Sequence, residues 1–163
     1  MISLAAQSDL YEIDNIYNQA IKHGFQTAHT RSLNKDERDN WFKKYSPNDY
    51  PLYVFKKEDK VIGWLSVSPY RLGREALSET AEISFYVDFS FHGQGIGTKL
   101  VQHCLEQASK INKRVFLAIM IEGNEGSIQL LEKLGFEQWG YLPEVINFRN
   151  EIRGQVYMGK VVY

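Results

Sequence analysis

Three glycines within five positions, at the start of a helix-like segment, mark the place in this 163-residue chain where chemistry is most readily built. The run His92-Gly93-Gln94-Gly95-Ile96-Gly97 follows a strand-like stretch, 82–87, and Thr98 comes next in a segment that stays amphipathic to about 111. Glycine lacks the side chain that would hold a phosphate away from the backbone. A helix also begins with unpaired N–H groups and the positive end of its dipole. The sequence therefore predicts an anion cradle here, and the predicted anion is a pyrophosphate.

Two other glycine motifs do not fit this loop. The dinucleotide fingerprint is G-x-G-x-x-G, whereas Gly93, Gly95 and Gly97 give G-x-G-x-G past the middle of the chain. The nucleotide-triphosphate loop ends in Gly-Lys-Ser/Thr, whereas Gly97 is followed by Thr98 and then Lys99. Taken alone, the glycines leave a plain structural turn open as the alternative.

The loop resembles the acyl-CoA loop of the GCN5-related N-acetyltransferase (GNAT) superfamily, Q/R-x-x-G-x-G/A. His92 stands in the Gln/Arg place, and Gly95 and Gly97 stand in the glycine places. The histidine is a departure, which should weaken the side-chain contact to phosphate and leave the backbone contact intact. The run 124–136, Asn-x-x-Ser-x-x-Leu-Leu-Glu-Lys-Leu-Gly-Phe, is similar to the second signature of the superfamily.

Nearly the whole chain is similar to one branch of this superfamily, the phosphinothricin and methionine sulfoximine acetyltransferases. The similar segments are 80–88, 139–145, Ile16-Tyr17-Asn18 and Thr27-Ala28. The resemblance implies transfer of the acetyl group of acetyl-CoA directly to the primary amine of a small amino acid or analogue, such as phosphinothricin or methionine sulfoximine or sulfone. Acetylation of a peptide N-terminus or a polyamine, and a non-catalytic acyl-CoA-binding sensor, remain as alternatives.

Glu82 is the predicted catalytic base. Alternation along the strand 79–88 places Ala81 and Ile83 on one face and Glu82 and Ser84 on the other. An amine must lose a proton before it attacks a thioester, directly or through water. A carboxylate in the middle of a sheet has its pKa raised by desolvation, towards a value that suits this role. An ion pair between Glu82 and Arg74 is the purely structural alternative.

Further cofactor contacts rest on the resemblance. Backbone N–H groups of Phe85, Tyr86 and Val87 would hold the thioester carbonyl and the pantetheine amides, where they would also stabilise the developing oxyanion. Asn124 and Ser127 could bond the arm of the cofactor, and helix capping is an equally good role for Asn124.

One expected residue is missing. The superfamily commonly carries a tyrosine that protonates the departing thiolate, and the matching position here is Leu131. A thiolate of coenzyme A is already a good leaving group, so solvent could suffice. Tyr141 is a candidate donor on sequence proximity alone.

Substrate contacts are predicted in the segments that precede the catalytic strand. Arg71 and Arg74 could each hold a carboxylate or phosphinate with two hydrogen bonds, and the resemblance places an arginine at Arg74. Tyr70 and Thr27 are predicted to line the acceptor pocket. A solvated loop charge is the alternative for both arginines.

Composition excludes several kinds of partner. Lys and Arg total 19 against 20 Asp and Glu, a net charge of −1, so neither nucleic acid nor an acidic polymer is a predicted partner. No apolar run approaches the roughly 18 residues of a membrane helix, and the first residues lack the features of an export signal. The histidines lack metal-ligand spacing, so no metal is predicted. The single cysteine, Cys104, forbids an internal disulfide and fits a reducing cytoplasm.

The expected architecture is a single domain, 1–163, of the α+β class: a mixed central sheet with helices on both faces. The resemblance implies the GNAT fold, in which the strands near 79–88 and 115–121 diverge around acyl-CoA, and it implies a homodimer. Ser8 is predicted to cap the first helix. Asn34 is predicted to cap the second, which would run to about 45. The other predicted elements are strands 52–55, 61–67, 136–142 and 155–162, and helices 95–111 and 125–134.

Overall fold

A seven-stranded mixed sheet forms the centre of the molecule in the computed structural model, which describes residues 1–148 and 150–163. The strand order is β1-β2-β3-β4-β5-β7-β6. The strands are β1 (Ile2–Leu4), β2 (Leu52–Lys57), β3 (Lys60–Pro69), β4 (Thr80–Val87), β5 (Val115–Ile121), β6 (Glu137–Phe148) and β7 (Glu151–Val161). Among the described strands, β4 and β5 are the one pair that runs in parallel.

Four α-helices cover the two faces of this sheet: α1 (Leu10–His23), α2 (Lys35–Phe42), α3 (Ile96–Glu106) and α4 (Glu125–Lys133). On one face, Leu100 and Cys104 of α3 and Leu131 of α4 are buried against Ile83 and Phe116. On the other face, α1 buries Ile13 and Ile16 against β2 and β3, and Trp41 of α2 packs on the same cluster. The predicted α+β architecture is confirmed.

The strands β4 and β5 pair only over their first residues. Thr80, Ala81 and Glu82 face Val115, Phe116 and Leu117, and no pairing continues beyond Glu82. The rest of β4 stays paired with β3, and β5 stays paired with β7 along its whole length. The two halves of the sheet therefore diverge after Glu82, as the resemblance implied, and leave one side of β4 without a neighbouring strand.

Several predicted element ends were wrong, and local hydrogen bonding explains each difference. The first α-helix has Asp9 and not Ser8 at its N-cap, and Ser8 lies inside the preceding 3-10 turn, Gln7–Asp9. The Asp9 carboxylate accepts from the N–H of Ala6 at 2.9 Å within that turn. The second helix ends at Phe42 because the N–H groups of Lys44 and Tyr45 bond three residues back, which tightens the turn. The reciprocal bonds of Asn34 and Glu37, both 2.9 Å, confirm the predicted capping box.

Predicted element ends in the C-terminal half also differ from the structure. Helix α3 ends at Glu106 instead of 111, and Asn112 reaches a φ of 52° in the turns that follow. The last two strands are longer than predicted and form one hairpin, because a bulge between Leu142 and Ile146, with Glu144 at a φ of 56°, interrupts the alternation without ending the strand. None of the helices described is both long and apolar enough to cross a bilayer.

Candidate active site

A groove of about 680 Å³ opens where β4 and β5 diverge, between the start of α3 and the start of α4. Ten of the twelve predicted cofactor residues line this groove: Phe85, Tyr86, Val87, His92, Gly93, Gly95, Gly97, Thr98, Asn124 and Ser127. The other two do not. Ile96 is buried in the core, and the exposed amide of Gln94 lies 3.5 Å from the carbonyl oxygen of Ser90. These ten residues lie as far as 42 positions apart in the chain.

The glycine loop leaves its backbone accessible. Gly93 and Gly95 have φ values of 75° and 73°, which side chains rarely adopt, and a Cβ at either position would meet no atom within 4 Å. Gly95 is the N-cap of α3, and it offers no side chain to the first N–H groups of that helix. These groups remain available to an anion. The open backbone therefore fits the diphosphate of acetyl-CoA.

Gly97 has a different role in the loop. A Cβ there would lie 2.9 Å from Cδ1 of Leu130 and 3.7 Å from Cδ2 of Phe85. The glycine therefore allows α3 to approach α4 and β4 closely. Leu130 and Phe85 both line the groove, so this close approach also sets the width of the groove.

His92 uses its ring within the protein. Its Nε2 lies 2.9 Å from the carbonyl oxygen of Val87, and the ring centroid lies 4.7 Å from that of Phe89. These contacts hold the turn between β4 and α3 closed. Because Nε2 is already engaged in this way, it is not free to contact a phosphate, in the direction that the sequence predicted for His92.

Strand β4 directs two free N–H groups into the groove. The N–H of Asp88 donates to the carbonyl oxygen of Ile62 in β3. Because backbone groups alternate in direction along a strand, the N–H groups of Phe85 and Val87 point to the other side, where β5 has diverged. That of Tyr86 points towards β3. Phe85 and Val87 are therefore the donors positioned to bind a carbonyl oxygen.

Asn124 is the N-cap residue of α4, yet its side chain makes no capping hydrogen bond. Of the two roles predicted for Asn124, side-chain capping is therefore not observed. Ser127 follows in the first turn of α4, and both residues line the groove. Their polar side chains are placed where they can contact the arm of a bound cofactor.

A second cavity, of about 200 Å³, lies between β3, β4 and the helices α1 and α2, on the face of the sheet that α1 covers. We call it the inner cavity. Its wall contains aromatic rings (Tyr17, Trp41, Tyr45, Trp64, Tyr86), three serines (Ser66, Ser68, Ser84), the pair Asp14 and Arg38, and His29. Tyr86 lines both the groove and the inner cavity, so this residue belongs to the wall of each space.

Glu82 lies beside the inner cavity. Ser68 faces it across the β3–β4 pair, and Ser84 follows two residues later on the same side of the strand. Its half-buried carboxyl group forms no ion pair among the described residues, so the alternative of a pair with Arg74 is not observed. Desolvation by burial raises the pKa of Glu82 above the ordinary value. The carboxylate charge also helps to raise the pKa of Tyr45 to about 12, chiefly an effect of burial.

The structure does not bring the predicted substrate residues to this cavity. Tyr70 and Arg71 line a shallow depression next to Thr80 and Trp139, with the Arg71 guanidinium 5.4 Å from the centre of the Tyr70 ring. Arg74 is exposed at the start of a short 3-10 helix, Glu75–Leu77. Thr27 lies behind the wall, where its hydroxyl contacts that of Tyr17 at 2.6 Å.

The two residues considered for the general acid lie outside both spaces. Leu131 is fully buried in the main core. Tyr141 lies on β6. The N–H of Gly154, and after it the hydroxyl of Tyr141, hold the pKa of Glu122 below its ordinary value. Neither residue lines the groove or the inner cavity.

Sequence reasoning missed Asp14 and Arg38, which supply the opposite charges in the wall of the inner cavity. Asp14 lies between Leu10 and Tyr17 on the apolar stripe of α1, and its side chain is only 10% exposed. The sequence signal for Asp14 was a carboxylate on the apolar stripe of a helix, where charged side chains are rare unless they are paired. Arg38 gave no comparable signal, because a charged residue on a short polar helix is ordinarily solvated.

Comparison with known proteins agrees with this geometry. The sequence model of the Acetyltransferase (GNAT) family matches residues 10–136. The chain therefore belongs to this family, and it is an acyltransferase. The GNAT family uses acetyl-CoA, and the accessible backbone of the glycine loop is compatible with a diphosphate.

Named relatives extend over most of the chain. One is the Bacillus subtilis protein named "Putative phosphinothricin acetyltransferase YwnH", which is 33% identical over 99% of this chain and 96% of its own length. Another is the L-methionine sulfoximine/L-methionine sulfone acetyltransferase of Salmonella typhimurium, which is 30% identical over 88% of this chain and 84% of its own length. A phosphinothricin acetyltransferase from Sinorhizobium meliloti, solved in complex with AcCoA, superimposes with a TM-score of 0.92 at 25% identity, over 99% of this chain and 87% of that chain.

Proposed function

We propose that this enzyme transfers the acetyl group of acetyl-CoA to the primary amine of a small amino acid or analogue of the phosphinothricin, methionine sulfoximine or methionine sulfone type. The observation that carries this proposal is the position of Tyr86. Tyr86 lines both the groove that fits the cofactor and the inner cavity. Glu82 projects from the same side of β4 as Ser84 and Tyr86, which line that cavity. The names of the two relatives support the acceptor class.

The groove residues would bind acetyl-CoA, which supplies an activated acetyl group. The loop 92–98 would bind the diphosphate through its backbone, with Thr98 at the start of α3. Asn124 and Ser127 would bond the arm. The N–H groups of Phe85 and Val87 would hold the thioester carbonyl and stabilise negative charge that develops on its oxygen, which is the largest contribution of such sites to catalysis.

Glu82 would accept the proton of the acceptor ammonium, directly or through water. Partial burial makes its carboxylate a stronger base than an ordinary glutamate, since desolvation favours the protonated form. The hydroxyl groups of Ser68 and Ser84, on the same side of the sheet, offer hydrogen bonds to the amine or to a relaying water. With leucine at 131, solvent would protonate the thiolate.

The dimensions of the inner cavity favour a small acceptor. A space of about 200 Å³ is below the range typical of drug-sized ligands, and it is too small for an extended peptide. A polyamine would need acidic side chains, yet Asp14, the one carboxylate that lines the cavity, is paired with Arg38. Arg71, Arg74 and Tyr70 could contact an acceptor only from outside this cavity.

The proposal also includes a homodimer and a cytoplasmic location. The hairpin β6–β7 ends the sheet and exposes apolar side chains: Trp139, Tyr141, Leu142, Val145 and Ile152, each 39–52% exposed. Exposed apolar surface at the end of a sheet is typical of an interface, and we propose that a second copy covers this hairpin to form a homodimer. A single buried thiol is consistent with a cytoplasmic location.

Thiol release from acetyl-CoA tests the proposal. The purified enzyme would be assayed with methionine sulfone, phosphinothricin, spermidine and a short peptide, with acetyl-CoA binding measured by calorimetry. We expect turnover with the first two acceptors and little with the others. Binding of acetyl-CoA without turnover of any amine would instead indicate the sensor, and no binding at all would refute the assignment of the groove.

A further inference from the structure

Arg38 and Asp14 are the only oppositely charged side chains that line the inner cavity among the described residues. Arg38 projects from α2, a short helix with no buried residue, and its side chain is 25% exposed. Its Nε lies 3.1 Å from Oδ1 of Asp14 on α1. A permanent positive charge is therefore held at the wall of a small, mostly aromatic space.

This pair is incompletely satisfied. The buried Nε–H group of Arg38 lies 3.1 Å from Oδ1 of Asp14 but is poorly aligned for a hydrogen bond, and Oδ1 of Asn18 beside the pair has no hydrogen-bond partner among the described residues. Asn18 donates to Asp14 at 3.2 Å. Burial raises the pKa of Asp14 more than the charge of Arg38 lowers it. A partly buried charge whose hydrogen bonds are incomplete is costly, so a ligand that adds hydrogen bonds to the guanidinium would be stabilised.

We propose that Arg38 binds the carboxylate of the acceptor amino acid inside the inner cavity through its terminal N–H groups, while its Nε stays beside Oδ1 of Asp14. The inference deepens the proposed function and rests on it. A guanidinium presents a planar fork that matches a carboxylate with two parallel hydrogen bonds. The amine of the same molecule would then lie on the side of the cavity bordered by Glu82 and Ser84.

Location favours Arg38 over the two loop arginines. Arg71 and Arg74 are exposed, and both line surface depressions that do not include a residue of α1 or α2. Water would screen an ion pair between either arginine and the acceptor carboxylate, so the pair would contribute little to the binding free energy. The same pair at the wall of the inner cavity is less screened, so it can select acceptors that carry a carboxylate.

Steady-state kinetics of Arg38→Met tests the proposal, because methionine keeps much of the side-chain length and removes the charge. We expect the KM for methionine sulfone to rise about 10- to 100-fold, the range for losing a charged hydrogen bond, with the KM for acetyl-CoA unchanged. Arg38→Lys should fall between wild type and Arg38→Met. The matched control is Lys35→Met on the same helix, where the lysine side chain is 82% exposed, and it should leave both KM values unchanged.

The methyl ester of methionine sulfone separates recognition from a structural role of Arg38. Wild type should show a KM for the ester at least tenfold above that for the acid, and Arg38→Met should use both with similar KM values. Equal wild-type KM values for acid and ester would overturn the proposal, and this comparison needs no variant. An equal loss on both acceptors in Arg38→Met would also overturn it. If wild type acetylates no amine, the proposed function fails first, which is a distinct result.

Discussion

Ser68 of β3 lies directly opposite Glu82 of β4, and its hydroxyl lies 3.5 Å from the carbonyl oxygen of Glu82. Facing residues of an antiparallel pair project to the same side of the sheet. The Glu82 side chain therefore shares its surroundings with a serine hydroxyl and not with a cation. A carboxylate in this position loses water on folding without gaining a charged partner. This desolvation raises its pKa and makes it a stronger base.

The first prediction concerns catalysis by Glu82. Glu82→Gln keeps the shape of the side chain and removes the base, so kcat should fall about 10²- to 10⁴-fold. Acetyl-CoA binding, measured by calorimetry, should not change because Glu82 does not line the groove. Glu79→Gln is the matched control: Glu79 precedes β4, is 50% exposed and pairs with Arg114, and its loss should leave kcat unchanged. A Glu82→Gln enzyme with wild-type kcat would remove Glu82 from the mechanism.

The second prediction is the pH dependence of the reaction. The base must be unprotonated, so kcat/KM should fall as the pH drops through the pKa of Glu82. Since burial raises this pKa, the fall should begin at a higher pH than an ordinary glutamate would give. The profile of kcat/KM against pH measures the effect, and the residual activity of Glu82→Gln should lack this acid limb. An identical limb in the variant would assign it to another group.

The third prediction concerns the stability of Glu82→Gln. The same substitution that lowers kcat should stabilise the protein at neutral pH. A carboxyl group whose pKa is higher in the folded state than in the unfolded state stabilises the protein fully at low pH. That stabilisation is lost as the pH rises from the ordinary value of 4.5 through the folded pKa. Glu82→Gln cannot ionise, so it should gain melting temperature over wild type at neutral pH and lose that advantage in acid. Thermal melts at several pH values measure this effect. If Glu82 were not desolvated, the difference in melting temperature between Glu82→Gln and wild type would not change with pH.

The fourth prediction separates two glycines of the loop. Gly95 is in the left-handed region, so Gly95→Ala should lower the free energy of unfolding by about 1 kcal/mol, and Gly95→Asn by less. Gly97→Ala should act through Leu130, whose Cδ1 would lie 2.9 Å from the new Cβ. Because Leu130 lines the groove, this change should weaken acetyl-CoA binding more than Gly95→Asn does. Denaturant titration and calorimetry measure the two effects, and equal destabilisation by Ala and Asn at 95 would contradict the conformational argument.

Local patterns explain why much of the fold and the groove could be predicted from the sequence. The loop 92–98, the alternation along β4 and the box of Asn34 and Glu37 are each defined by residues a few positions apart. Their geometry follows from backbone preferences that neighbouring residues set. The groove residues could be predicted together because the family resemblance relates the separate segments 85–98 and 124–127.

The acceptor side could not be predicted in the same way, because it depends on contacts between distant segments. Arg38 and Asp14 meet only when α2 packs beside α1. The loop that carries Arg71 and Arg74 ends where Nζ of Lys113 donates to the carbonyl oxygen of Ser78 at 3.1 Å, across 35 residues. No local pattern encodes such contacts. The arginines that the sequence made conspicuous therefore lie at the surface, while an inconspicuous one lines the cavity.

The last prediction concerns the missing general acid. Leu131 is fully buried against the core, so Leu131→Tyr would add volume and a hydroxyl to a close-packed site. Such overpacking costs typically about 1–3 kcal/mol. We expect a lower free energy of unfolding and no gain in kcat, because a thiolate of coenzyme A leaves readily without an acid from the protein. Leu131→Met, which nearly conserves volume, is the control and should remain close to wild type in stability. A Leu131→Tyr enzyme with several-fold higher kcat would show instead that protonation of the leaving group limits the reaction.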